Sequence, residues 1–200
     1  MGSGERNRDE RRARAHNSTR ADILKAARRV AERQGARNLS LRSVAAEAGF
    51  APAALYGYFR NKDELMLTLA ADDLSRIAHA MRDAAIGQSI EHRLKAAAAA
   101  ALELLASSET LAAAAMAPRA NGSDIERLFN GRLIAALTTL STAAGQAARS
   151  RESQADVVLI AAALAGLALL RRGGRLQALG FSAEEVLARL DYFSKMKEAA

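Results

Sequence analysis

The chain has 200 residues, half of them hydrophobic, with two prolines, no cysteine and a formal charge of +7. That length allows a real core in one large or two small domains, while the lack of cysteine excludes a disulfide scaffold and a thiolate metal site. Abundant alanine, few aromatics and no alternating β-branched pattern predict an all-α protein.

Residues 1–17 are polar and Arg-rich without an apolar run, so they do not form a signal peptide. They read as a flexible arm. Ser18-Thr19-Arg20-Ala21-Asp22 then offers a hydroxyl cap and an acid for a first helix. Ile23, Leu24, Ala27, Val30 and Ala31 give that helix one apolar face, and Gly35 closes it.

The stretch from Leu39 to Lys62 reads as two short helices with a tight turn between them. Leu41, Val44, Ala45 and Ala48 keep the i, i+3, i+4, i+7 spacing of a buried face. Ser40 is the expected N-cap, and Leu39 can pack on Val44 as a hydrophobic staple. Gly49 suits the left-handed residue that ends a helix, and Pro52 suits the first turn of the next. Leu55 and Phe59 form the single inward stripe of that second helix, so Ala53, Ala54 and Gly57 face out and Tyr56 and Tyr58 fall on opposite shoulders. This is the helix-turn-helix pattern, expected here within residues 18–63. A smooth crown flanked by two phenols can enter a major groove while the phenols reach phosphates. The tyrosines also admit a plainer reading, as half-buried residues of an ordinary helical hairpin. Asn61-Lys62-Asp63-Glu64 is a capping signal for a third helix, with Lys62 placed to meet a phosphate.

Charge follows the same division. Residues 1–63 hold 14 Lys and Arg against 7 Asp and Glu, and the remaining residues hold 15 of each, so the whole positive excess sits on the helix-turn-helix end. That is the footprint of a nucleic-acid contact. Arg6 to Arg14 could then enter a minor groove or touch the DNA backbone, or could simply remain solvated.

The segment SLRSVAAEAGFAPAALYGYFRNKDEL resembles the DNA-binding signature of tetracycline-repressor-like (TetR) transcriptional regulators. The family pattern A-x-x-A-G, a hydrophobic residue, then L-Y-x-Y-F-x-x-K-x-x-L falls on Ala45 to Gly49, Phe50, Leu55, Tyr56, Tyr58, Phe59, Lys62 and Leu65. Phe50 is bulkier than the valine usual there. The resemblance covers about the first third of the chain. It implies that Arg42 reads a base, that Ser40, Tyr56, Tyr58 and Lys62 contact phosphates, and that Pro52, Ala53, Ala54 and Gly57 line the reading surface.

Residues 64–200 are expected to form a helical ligand-binding and dimerisation domain. A long helix runs from Asn61 to about Ala85, Gly87-Gln88-Ser89 breaks it, and Ile90 to Ala106 follows with an alanine run. A short helix around Leu111 to Met116 and a longer one over Asp124–Ala148 come next. Asp156 to Leu170 is apolar on every side, yet shorter than the roughly 20 residues of a membrane span, which predicts a buried helix covered by its own core and by something else. The last helix opens at Ser182 with Glu185 as a capping box, and Val186, Leu187, Leu190 and Phe193 form its stripe. Leu164, Leu167, Val186, Leu187 and Leu190 are the expected dimer interface, since by resemblance the last two helices pair with their copies. His79, Met81, Met116 and Phe129 are the candidate ligand-pocket residues, each also readable as core or surface.

No catalytic constellation, dinucleotide loop or phosphate loop occurs, and the three histidines lack the i+3 or i+4 partner of a metal site. No cofactor is expected. The chain is read as a cytoplasmic, non-enzymatic, homodimeric repressor of a near-palindromic double-stranded DNA operator, released by a small apolar or amphipathic effector, with no membrane partner. Alternatives are a DNA-binding dimer regulated without a small molecule, and an activator.

Overall fold

The computed structural model describes residues 3–115, 123–145 and 150–198, with side chains over 7–114, 123–145 and 150–190. Among the described residues there is no strand; ten α-helices and one 3₁₀ turn account for the regular structure. The all-α expectation holds.

Helix α1 runs unbroken from Ser3 to Gln34. This corrects the expected start at Ser18 and the expected flexible arm. Arginine, glutamate and alanine propagate a helix well, and Thr19 needs no capping role because its Oγ1 donates to the Ala15 carbonyl at 3.0 Å. Gly35, at φ 80°, ends α1, and a 3₁₀ turn over Ala36–Asn38 leads into α2 (Leu41–Ala48). The capping box here is serine with serine: Ser43 N–H donates to Ser40 Oγ at 3.0 Å and Ser40 N–H to Ser43 Oγ at 3.1 Å. Gly49 takes the left-handed conformation expected of it, and α3 spans Pro52–Leu55.

Helix α4 (Lys62–Ala85) is capped by Asn61, whose side chain accepts from Glu64 N–H at 2.8 Å. It belongs to two cores. Leu65, Met66 and Leu69 pack with Ile23, Val30, Leu39, Val44, Leu55 and Phe59 in the head, so the head's core extends past residue 63. Further along, Leu74, Ile77 and Met81 pack with Leu94, Leu102, Leu140, Leu164 and Leu167 in the body.

The body comprises α5 (Ile90–Ser107), α6 (Glu109–Ala115), α7 (Asp124–Ala143), α8 (Arg151–Arg172), the one-turn α9 (Arg175–Ala178) and α10 (Ala183–Glu198). The alanine run of α5 buries Ala97, Ala98 and Ala101 and so brings α4, α8 and α10 close. Helix α9 was not anticipated from the sequence. The capping box of α10 is present, with Ser182 N–H donating to Glu185 Oε2 at 2.7 Å. Met116 and the Phe193 side chain lie outside the described residues.

Helix α8 keeps a flank for something other than its own core, but the interface residues expected on α8 and α10 stand elsewhere. Helix α8 is covered on one side only. Val157, Leu164, Leu167 and Ala168 are buried, while Val158, Leu159 and Leu169 are exposed, because α5 and α7 pack on one flank and no described element covers the other. Leu164, Leu167 and Leu187 therefore belong to the subunit's own core, with Val186 and Leu190 half-buried against it, and do not form an outward face.

Candidate nucleic-acid interface

The helix-turn-helix is held from both sides. On one side, Leu41, Val44 and Ala45 of α2 and Leu55 and Phe59 after the turn are buried in the head core. The turn is closed by Phe50 N–H donating to the Ala45 carbonyl at 2.9 Å. On the other side, Glu47 of α2 accepts from Arg29 Nε and Arg33 Nη2 of α1, both at 2.8 Å. Those two hydrogen bonds, Arg29 foremost, hold the Glu47 carboxyl below its ordinary value of 4.5. Arg20 lies over the Phe59 ring, 5.0 Å from its centre, and donates to Thr68 at 3.3 Å.

With these residues turned inward, what remains outward is the expected reading surface. Ser40, Arg42, Pro52, Ala53, Ala54 and Gly57 are exposed, and Tyr56 is 62% exposed. Arg42 has no ion-pair partner among the described residues, so its guanidinium is free for a base edge or a phosphate. Helix α3 is a single turn, and Tyr56 to Tyr58 continue it as hydrogen-bonded turns, with Gly57 N–H on the Ala54 carbonyl and Tyr58 N–H on the Leu55 carbonyl.

Two members of the set stand differently. Tyr58 is half-buried and stacks on His16 of α1, with ring centres 4.5 Å apart and planes within 16°. Lys62 is half-buried, and its Nζ donates to the Arg37 carbonyl at 2.6 Å, tying the start of α4 to the 3₁₀ turn. His16 escaped the sequence reading because it lies beyond the residue that looked like a helix start.

A polar network joins this head to the body. Arg28 of α1 donates to Asp72 and Asp73 of α4, and the electrostatic gain outweighs the burial that opposes it, raising the guanidinium above its ordinary value. Asp73 is buried and also accepts from Ser108 Oγ at 2.8 Å and from Thr110 Oγ1, at the start of α6. Arg172, at the end of α8, pairs with Glu109 and donates to the Ser108 carbonyl at 2.9 Å. The acid pair within an otherwise apolar α4 was the available signal for this network.

Of the candidate pocket residues, Met116 lies outside the described residues and the other three do not share one face. Met81 is buried in the body core, whereas His79 is exposed, its Nδ1 2.9 Å from Arg82. Phe129 packs against Leu67, Ala70 and Ala114 and also borders the body core that holds Met81. Two residues apart on a helix point about 200° apart, so His79 and Met81 cannot line one cavity. A groove of about 540 Å³ lies elsewhere, with Leu102, Leu176, Leu187 and Phe181 against Lys95, Glu103 and Arg171. There Arg171 donates to both oxygens of Glu103, which lowers that carboxyl.

Residues 23–69 match the profile of a family described as bacterial regulatory proteins, tetR family. A nicotine-responsive, helix-turn-helix-type transcriptional repressor of Paenarthrobacter nicotinovorans, HdnoR, is 37% identical over 79 residues, covering 38% of this chain and 41% of that one. The match thus spans about two-fifths of the length of that relative. Among solved structures, a TetR transcriptional regulator from Rhodococcus sp. RHA1 superposes with a TM-score of 0.69 at 20% identity, covering 89% of this chain and 96% of that one. FadR from Bacillus subtilis, in complex with stearoyl-CoA, gives 0.62 at 16% identity, covering 87% and 96%. At these identities the structural likeness shows the fold.

Proposed function

We propose that the chain is a regulator of the TetR type, a homodimeric transcriptional repressor that binds a near-palindromic DNA operator and is released by a small apolar or amphipathic effector. The observation that carries the DNA reading is the exposed, unpaired Arg42 and the bare Ala53–Ala54–Gly57 crown on a buried helix-turn-helix. In this reading Arg42 supplies hydrogen-bonded base readout, worth about 1–3 kcal/mol at a guanine. The crown supplies apolar contact with thymine methyls and close backbone approach, and Ser40, Tyr56 and Pro52 flank it. Lys62 acts there as an N-terminal cation of α4 that keeps its bond to Arg37.

The exposed side of α8 supports a two-fold assembly built on Val158, Leu159 and Leu169, residues other than the five expected from the sequence. Two heads would then meet successive major grooves. For the effector, the support is the groove beside α5, α9 and α10, with its apolar floor and charged rim. One relative is named as nicotine-responsive and FadR is described in complex with stearoyl-CoA, which fits an apolar or amphipathic class without naming the molecule.

Selection from a random duplex library, followed by footprinting, tests the reading. Enrichment of a two-fold-related sequence is expected, with Arg42→Ala losing preference at one symmetric position. Recovery of no sequence above the input library would overturn it.

A further inference from the structure

Helix α1 reaches well beyond the part of it that the head needs. Its packed side begins with Ile23, and every residue from 7 to 18 is exposed. This stretch is anchored at one point, where His16 stacks on Tyr58, two residues past the exposed Tyr56 and next to Gly57. Four residues on, Arg20 covers Phe59. His16 and Arg20 thus mark the side of α1 that borders the reading segment.

Continuing that side toward the N-terminus, a helical projection at about 100° per residue puts Arg12 about 40° from His16 and Arg8 about 80°, on the same flank. At about 1.5 Å per residue they stand roughly 6 and 12 Å further out along the helix. Neither has a partner among the described residues, whereas Arg14 pairs with Glu10 at 3.6 Å. Asp9 lies about 20° from His16 on the other flank, the one acid near this edge among the described side chains.

We infer that the helical extension of α1 is a second DNA-contacting element, in which Arg12 and Arg8 neutralise phosphates of the duplex that flanks the segment read by the helix-turn-helix, and Asp9 opposes that contact. The His16–Tyr58 stack sets the angle at which the extension leaves the reading surface. The inference rests on the DNA-binding reading above and adds a surface to it. A rigid helix differs from a tail here, because it fixes which phosphates are met and avoids the ordering cost of a disordered segment.

The experiment uses the full chain and a duplex recovered by it from the random library, prepared as the protected core alone and with ten added base pairs on each side. The Arg8→Ala/Arg12→Ala variant is expected to bind the short duplex as wild type does. On the long duplex its affinity should fall severalfold, and the slope of log affinity against log salt should shrink by about 0.9 for each phosphate no longer neutralised, about 1.8 per subunit. Asp9→Asn should change affinity for the long duplex in the opposite direction, and Arg8→Lys/Arg12→Lys should restore it. His16→Ala should reproduce part of the double variant's loss. Circular dichroism of each variant guards against a change in helix content. Equal binding of both duplexes by wild type, or an unchanged salt slope in the double variant, would overturn this inference while leaving the helix-turn-helix reading intact. Failure to recover any duplex would remove the reading itself.

Discussion

The head and the body of this protein are both helical, but they are finished to different degrees. Among the described residues, nine large side chains are fully buried, and eight of them, Phe59, Ile23, Leu39, Leu55, Leu65, Leu69, Val30 and Val44, belong to the head. Leu102 alone belongs to the body. The exposed large hydrophobics divide the other way: Tyr56 is the head's, while Ile134, Val158, Leu159, Leu169, Leu179, Phe181 and others are the body's. The head closes a core of large residues on itself. The body packs small alanine faces inward, which allows close helix approach, and leaves apolar surface outward. Among the described residues this is apolar surface of the kind that the proposed two-fold assembly would cover.

The comparison breaks most visibly at Phe59. It is fully buried among α1, α2 and the start of α4, so Phe59→Ala should cost about 3–5 kcal/mol and loosen the whole head. Hydrogen exchange resolved by segment should show α1 to α3 losing protection while the body keeps most of its own. Equal loss in both regions would mean that the two cores melt as one.

A smaller effect is expected at the seam. Asp73 gathers Arg28, Ser108 and Thr110, so Asp73→Ala removes the acceptor that links α1 to the start of α6 and leaves buried donors without it. A loss of about 1–3 kcal/mol is expected, read in denaturant melts. Because Asp72 still pairs with Arg28, the loss should stay well below that of Phe59→Ala. A larger loss than at Phe59 would place the stability of the head in the seam.

On the outer side of α8, stability should scarcely change. Leu159 is exposed in the subunit, and Leu159→Lys should move unfolding by no more than about 0.5 kcal/mol at concentrations where the chain is monomeric. The same change should prevent self-association in sedimentation. Leu187→Asp, in contrast, buries a charge against α5 and should unseat α10. If Leu159→Lys associates as wild type does, the uncovered face of α8 is not the assembly surface.

What was legible in the sequence follows the same line. In the head, the period of Leu41, Val44 and Ala45, the cap at Ser40 and the left-handed Gly49 appear in the structure as read, and Leu55 and Phe59 are both buried, although α3 ends at Leu55 and Phe59 lies beyond it. The extension of α1 was missed because Ser18-Thr19 carries a cap's chemistry, and a polar helix without packing has no period to betray it. In the body, periodicity named apolar residues correctly but could not say which way they face. When every side of a helix is apolar, as in α8, rotation carries no information, and Leu164 and Leu167 were assigned outward when they point in. The seam at Asp73 depends on residues about 35–45 positions apart, which no local pattern connects.

The smallest expected effect concerns acid, and it separates the two regions once more. Glu47 in the head is held below its ordinary 4.5 by Arg29 and Arg33, and Glu103 in the body is lowered by Arg171. Unfolding returns each carboxyl to about its ordinary value, so the folded state favours the ionised form. The stabilisation is therefore fully present above about pH 4.5 and is lost as pH falls through the depressed folded value. Glu103 is exposed and Glu47 is half-buried beside exposed arginines, so salt should weaken the effect further. Glu47→Gln should flatten the acid side of the head's melting curve, followed by exchange in α1 and α2, and leave the body's unchanged. Glu103→Gln should do the reverse, through the loss of the α5–α8 link. Near neutral pH each substitution should lower stability only slightly. If Glu47→Gln shifts the acid dependence of α8 and α10 as much as that of α2, the two regions share one transition, and the head does not stand on its own core.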